Sequence, residues 1–357
     1  MSAFSDAPAA QWASFLNQAG ARRDQHGIAR DMGQAPVLPA GDGAAMTFAA
    51  DHLRLVTLRG PDAVTFLQGQ VCADIRDTGN GFSRLAMHLS LKGRGLVSMR
   101  VLPAEDGLDL LVPASMAAAL RERLQKYIVF SKATLAEDPE RVVLGIAGAG
   151  ATEVLSGAGL PCSHHADGCT VNNGISLVRA GPTDRYLIIA PVEDAMDLWP
   201  ALADERQSGA ADHALLADIM AGEGHVLPGS EDLFLPQVLN YDLIEGVSFR
   251  KGCYTGQEVV ARMKFKGQLK QRMRRLAWPG NVAPAPGTVL RNETGKAVGE
   301  IVVGVASLTD IHALAVLRHD HQGPLLIDDT ALQHQELPLP YALPDAPADS
   351  ANDETVS

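Results

Sequence analysis

Between Leu53 and Leu202 the hydrophobic pattern passes twice through a similar order of elements. In the first pass, residues 53–58 read as a strand and 61–68 as a helix with Pro61 in its first turn. Residues 85–89, 95–102 and 108–112 then read as strands. Residues 113–127 place Leu120, Leu124 and Tyr127 on one helical face with Arg121, Arg123 and Lys126 off it, and 133–136 closes the pass as a strand. The second pass gives a strand at 142–146, a helix at 151–156, strands at 175–179 and 185–190, and a helix at 192–202. One-sided faces of this kind must cover one another, so the order predicts an α+β fold of duplicated ferredoxin-like units. Identity between the passes is negligible, and the pattern alone carries the repeat.

Short β-patterned runs at 274–278, 288–290, 297–305 and 311–317, separated by Gly, Pro and Asn, predict a small C-terminal β-barrel or sandwich. The expected organisation is therefore an N-terminal segment 1–48 with one short amphipathic helix near 10–18, and α+β units over 49–138 and 139–249. A loop-helix with a basic linker follows over 250–272, then the barrel over 273–335 and a disordered Pro/Ala/Asp-rich tail over 336–357.

With 46% hydrophobic and 20% charged residues in 357, the chain can bury several cores, yet no run approaches the roughly 18–20 apolar residues that span a bilayer. No basic start leads into an apolar stretch at the N-terminus, so no secretory signal is read, and no membrane partner is expected. Four cysteines do not make a disulfide scaffold in a chain of this length, which fits a reducing cytoplasm. The net charge of −12 argues against general nucleic-acid binding. Residues 250–275, however, hold nine basic residues and one acid, a net of +8, against −20 for the remainder. Arg262, Lys264, Lys266, Lys270, Arg272, Arg274 and Arg275 are either a site for anionic groups or a solvated strand with alternating outward charges. Phe265 is the one aromatic within that strip, which supports base stacking poorly, so direct RNA binding is not expected.

Within the basic segment, Cys253 follows Arg250 and Lys251 and precedes a helix start, with Thr255 and Glu258 spaced as a capping box for a helix through roughly Met263. A helix N-terminus and adjacent cations favour an anion, so Cys253 is the candidate reactive thiol or soft metal ligand. Gly252 and Gly256 would let a ligand approach the backbone. Lys251 would neutralise a carboxylate or hold the thiolate, Tyr254 would stack on a ring or pack, and Gln257 would bond a ligand or the loop itself. Glu258 has a sufficient task as capping partner. Cys162, His164, His165 and Cys169 have a spacing that matches no common zinc pattern, and Cys72 reads as packing.

Residues 251–258, Lys-Gly-Cys-Tyr-Thr-Gly-Gln-Glu, resemble the signature octapeptide of the YgfZ family, folate-binding proteins that support iron–sulfur proteins. That family is a branch of the aminomethyltransferase (glycine-cleavage T-protein) superfamily and has mitochondrial relatives in iron–sulfur assembly. Phe234-Leu235-Pro236-Gln237, Phe66-Leu67-Gln68-Gly69-Gln70 and Lys92-Gly93-Arg94-Gly95 extend the resemblance over roughly residues 50–320. It implies three domains in a ring around a central folate-sized hole, with tetrahydrofolate or a derivative bound and no intrinsic metal. Gln68, Gln70, Arg94, Lys251, Tyr254 and Arg262 are the folate contacts it suggests. Iron–sulfur client or assembly proteins are the implied partners, the effect on tRNA modification is indirect, and a monomer is expected. The chain departs from the transferases of the superfamily. No acid occurs between Gly95 and Pro103, where Val97 or Ser98 takes the place of a strand aspartate, and Thr183-Asp184-Arg185-Tyr186 stands where the transferases have Thr-Gly-Glu before a tyrosine. The alternative is a folate-dependent one-carbon or aminomethyl transferase whose acid has moved to Asp62, Asp74 or Glu223.

Overall fold

The computed structural model describes residues 7–33, 45–203 and 208–344. Five strands form the first sheet, in the order Arg84–Leu89, Gly95–Ala104, Gly107–Pro113, Leu53–Arg59 and Thr134–Glu137, all antiparallel. The second sheet runs Cys169–Asn172, Ile175–Arg179, Arg185–Pro191, Arg141–Ala147, Met46–Ala49 and Ser208–Gly209. Strand by strand the two orders correspond, apart from one insertion. In the second sheet Met46–Ala49 sits between the first and last strands of the unit, antiparallel to one and parallel to the other. All four of its residues are buried, so residues read as part of a separate N-terminal segment belong to this sheet.

Helices cover the sheets as amphipathic spacing requires. Ala114–Ile128 buries Met116, Leu120, Leu124 and Ile128; Tyr127, placed on the buried face by the sequence pattern, is 54% exposed instead. Ala7–Gln18 brings Trp12 against Trp199 of helix Val192–Ala203, with ring centroids 6.1 Å apart and edge to face. Helix Ala211–Met220 has no counterpart in the sequence pattern. It buries Ala211, Ala214, Leu215, Leu216, Ala217 and Ile219, so it is apolar nearly all round and shows no stripe to read.

The C-terminal strands form one antiparallel sheet of seven, from Thr330–Leu332 at one edge to Gln335–Leu337 at the other. Among the described residues no pairing joins those edges, so the strands expected to form a small barrel make one open sheet. The tail starts later than its composition suggests. Gln335–Leu337 pairs with Gln271–Pro279, and the Tyr341 hydroxyl donates to Gly222 O at 2.7 Å. The remainder of the expected tail, residues 345–357, lies outside the described residues. One hydrophobic cluster joins the first sheet to the last through Val226, Phe234, Val238, Tyr241 and Val260, and a smaller one lies between the first two sheets around Phe48, Leu111 and Ile189. Among the described residues no helix is long and apolar enough to cross a membrane.

Candidate functional site

From Ala221 to Gly256 the chain has neither helix nor strand, yet Phe234, Val238, Leu239 and Tyr241 within it are buried. So long an irregular segment must satisfy its backbone from elsewhere in the fold. Gly95 N donates to Phe234 O and Asp232 N to Gly95 O, each at 2.8 Å, which docks the segment on the first sheet. Met273 N donates to Val238 O at 2.8 Å, and the Arg272 guanidinium makes a bidentate pair with Asp242 at 2.9 Å while also donating to Gln237 O, which docks it on the last sheet. Arg272 is therefore a buried structural cation, and Arg274 pairs with Glu336 at 2.6 Å. The basic strip of the sequence divides here: its cations at 262–270 are exposed, while Arg272 and Arg274 tie the last sheet together.

The signature loop sits where the four resemblance motifs meet. Lys251 is buried, and its ammonium donates to three backbone carbonyls of the first unit: Gln68 O at 2.6 Å, Ala73 O at 2.7 Å and Val71 O at 2.8 Å. It also lies 5.2 Å over the Tyr254 ring, itself buried in the main core. Burial pushes the Lys251 ammonium down to about 8, against the pull of Asp74 and Cys72. This corrects the sequence reading, because the ammonium is spent on carbonyls and is free for neither a ligand carboxylate nor the Cys253 thiolate. Tyr254 packs and does not present a stacking face.

Helix Gln257–Phe265 begins at Gly256, in the left-handed region at φ 80, and no side chain caps it, so the expected Thr255–Glu258 capping box does not form. Glu258 points to solvent. Gly256 is required by contact: a Cβ there would lie 2.5 Å from Ser90 O and 2.8 Å from Gly93 Cα. Gly93, at φ 72, is tight in return, its Cβ position being 2.9 Å from Val259 Cβ. The Lys92-Gly93-Arg94 hairpin turn is thus a seat for the signature helix, and Gln237 Nε2 donates to Val260 O at 2.8 Å to hold that helix from the other side. By contrast, Gly252 has open space where a Cβ would go, and Cys253 is exposed beside it. Of the four cysteines, all free, Cys72 and Cys169 are buried and Cys162 is half-buried. Burial pushes the Cys72 thiol up to about 12, and its Sγ lies 3.1 Å from Gly246 O, in keeping with a packing role. The set Cys162, His164, His165 and Cys169 is not gathered into a ligand group.

A cavity of about 430 Å³ opens where the first two sheets and the irregular segment meet, lined by Phe82, Arg100, Asp167, Arg185, Glu223 and Tyr341 among others. Its inner wall is an ion-pair hub that sequence reasoning missed as a unit. Arg100, 3% exposed, donates to Glu223 Oε2 at 2.8 Å, Asp167 Oδ1 at 2.6 Å and Ser83 Oγ at 3.0 Å. Arg185 pairs with Glu223 and Asp218. His225 Nε2 lies 3.6 Å from Glu223 Oε1 and 3.7 Å from Asp218 Oδ2, and its Nδ1 is 3.4 Å from Ser98 Oγ. Burial alone would raise the Glu223 carboxyl; the guanidiniums of Arg100 and Arg185 overcome it and hold the group down to about 2. Burial dominates at Asp218 and lifts it above the ordinary carboxylate range. Asp218, Glu223 and His225 bring ligand atoms within 4.8 Å of one another, but both carboxylates already accept from Arg185, so the group is an ion-pair hub in the first instance.

None of Gln68, Gln70, Arg94, Lys251, Tyr254 and Arg262 lines this cavity. Gln68 braces its own loop, accepting from Ile75 N and donating to Asp74; Arg94 and Arg262 are exposed. A larger depression of about 790 Å³ between Gly60, Glu105 and Lys132 holds none of the candidate residues. The three acids considered as relocated catalysts are all engaged: Asp62 accepts from Lys132 N at 2.7 Å, Asp74 pairs with Arg76, and Glu223 is held by two guanidiniums.

No family model matches the chain. It is 35% identical over 320 residues to the tRNA-modifying protein YgfZ of Yersinia enterocolitica serotype O:8 / biotype 1B, covering 86% of this chain and 96% of the relative. It is 32% identical over 320 residues to the tRNA-modifying protein YgfZ of Pectobacterium carotovorum subsp. carotovorum, covering 87% and 96%. Among solved structures, the glycine cleavage system aminomethyltransferase T from Bartonella henselae superposes with a TM-score of 0.72 over 92% of this chain and 96% of that one, at 20% identity, a likeness of fold.

Proposed function

The chain belongs to the YgfZ family and has an aminomethyltransferase-like fold, and on that premise we propose that it is a folate-binding accessory protein for iron–sulfur cluster assembly or repair. Its effect on tRNA modification would be indirect, through enzymes that carry such clusters. The observation that carries the reading is the exposure of Cys253, the one exposed thiol of four, at the tip of a loop whose neighbours Lys251 and Tyr254 are locked in the core. A thiolate is a soft ligand for iron and a good nucleophile, and a single one must share its metal or bond with a thiol or cluster from a partner. The buried cage around Lys251 supports this role by fixing the loop, so the sulfur is presented without the loop having to order itself on binding.

The cavity on the ion-pair hub fits a folate in size and in mixed apolar and polar lining. Arg100 Nε, buried with no hydrogen-bond partner, adds an unspent donor on that wall. Phe82, Arg100, Asp167, Arg185, Glu223 and Tyr341 are the residues that would hold it. Bound tetrahydrofolate would supply a one-carbon carrier. Among the described residues the carboxylates that line the cavity, Asp167, Glu223 and Glu245, each face a guanidinium, which favours the accessory reading over the transferase. Two assays test the proposal. Calorimetric titration of tetrahydrofolate into the purified chain should show one site, weakened about tenfold or more by Arg100→Met; binding unchanged by that substitution would remove the cavity from the account. Cells lacking the gene should regain iron–sulfur enzyme activity with the native chain but not with Cys253→Ser.

A further inference from the structure

We propose that the exposed face made by the turn 90–94, the loop 249–253 and helix Gln257–Phe265 is a docking surface for an acidic protein segment that carries apolar side chains. Three sets of observations converge on it. Arg250, Arg262, Lys264, Lys266 and Lys270 are exposed, and among the described residues none of them has an ion-pair partner. Many cations elsewhere in the body are matched with acids, as at Arg141 with Asp109 and Asp138 or Arg272 with Asp242. A chain of net charge −12 that sets these five cations against one exposed acid of the same helix, Glu258, presents a net positive local field suited to an anionic partner.

Apolar side chains are set among those cations. Leu91 is 85% exposed, Phe265 70% and Val259 36%. The turn carrying Leu91 is seated on Val259 through Gly93, and further along the same helix Phe265 stands edge to face with Phe249 at 6.1 Å. Lys264 lies 5.4 Å over the Phe249 ring, and Ala261, Arg262, Phe265 and Lys266 line a shallow recess beside it. Aromatic and aliphatic groups ringed by charge are the anatomy of a protein interface.

The mixture also decides the class of partner. RNA would use the cations and stack on exposed rings, but Leu91 and Val259 give it nothing, and Phe265 is the one fully presented ring. An acidic peptide bearing Leu or Phe uses every part of the face. The surface is rigid before binding, since Gly256, Gly93 and Gln237 lock the helix to the first sheet, so little ordering cost is incurred. Helix and turn flank Cys253, and this proximity rests on the reading of that thiol as the working group: a docked segment would be delivered next to the sulfur.

The test uses the full chain and fluorescence anisotropy with three short labelled probes of equal length. These are a peptide of Asp and Glu interspersed with Leu and Phe, the same peptide with Ser for Leu and Phe, and oligouridine. The mixed peptide should bind about tenfold or more tightly than the Ser version, and keep part of its affinity in high salt. Both Phe265→Ser and the pair Lys264→Glu with Lys266→Glu should weaken it by about tenfold or more, with circular dichroism unchanged because all three positions are exposed. Equal binding of the two peptides, oligouridine binding as tightly as the mixed peptide, or indifference to both sets of substitutions overturns the proposal. So does sedimentation showing a dimer that Lys264→Glu with Lys266→Glu dissolves, which would assign the face to a second copy. Cys253→Ser should leave peptide binding intact. Loss of docking with in-cell dependence on Cys253 retained removes this proposal alone, and the reverse pattern removes the thiol reading alone.

Discussion

At the scale of single residues, the decisive finding is that two motif positions separated by one glycine have opposite fates. Lys251 turns inward to three carbonyls, and Cys253 turns out to solvent. Removing the ammonium would leave those carbonyls without a donor in a buried loop. Lys251→Met should therefore lower stability by about 2–4 kcal/mol in urea unfolding, and a loss below about 0.5 kcal/mol would show that the cage is ornamental. Cys253→Ser, at an exposed site, should change stability by less than about 0.5 kcal/mol. Nothing in the sequence distinguished the two. A lysine next to a cysteine suggests an electrostatic partner, and carbonyls some 180 positions away leave no side-chain signature by which to find them. The arginine hub was hidden for a related reason: Arg100, Arg185 and Glu223 lie far apart in the chain, and Glu223, a candidate relocated acid in the sequence, carries no signal that joins it to either arginine.

Among the elements, helix Gln257–Phe265 shows what glycine does and does not do in this loop. Gly256 combines a left-handed φ with contact against Ser90 and Gly93, while Gly252 has neither. Gly256→Ala should cost about 1–3 kcal/mol, by thermal or urea unfolding, and Gly252→Ala close to nothing; equal costs would contradict the seating of the helix on the hairpin turn. The pattern of alternating and helical spacing recovered the amphipathic elements, Ala114–Ile128 to within a residue and the N-terminal helix to within three. It failed where one-sidedness fails. Ala211–Met220 is buried nearly all round, and Met46–Ala49 is a short buried strand at the end of a Gly/Ala/Pro-rich run. The capping-box spacing at Thr255 misled for a local reason, since the chain enters the helix through a left-handed glycine that aims Thr255 elsewhere.

For the whole molecule, the ion-pair hub helps couple the first two sheets, since Arg100 belongs to one, Arg185 to the other, and Glu223, in the irregular segment, binds both guanidiniums. The Glu223 carboxyl is held at about 2 against an ordinary 4.5, so its stabilisation is complete above pH 4.5 and is lost as the pH falls toward about 2. Arg100→Met should cost about 3–5 kcal/mol at neutral pH and flatten that acid limb, because it strands a buried charge; an unaltered acid limb in urea titrations would place the coupling elsewhere. The sequence made the family legible through four short motifs, and the structure shows why those four: three of them meet around the fourth, the signature loop. What folate or cluster chemistry follows depends on the sulfur. The most direct measurement is iron–sulfur enzyme activity in cells lacking the gene and supplied with Cys253→Ser at native protein levels. Activity at the level of the empty cells is the predicted result, and activity equal to that of the native chain would contradict the account.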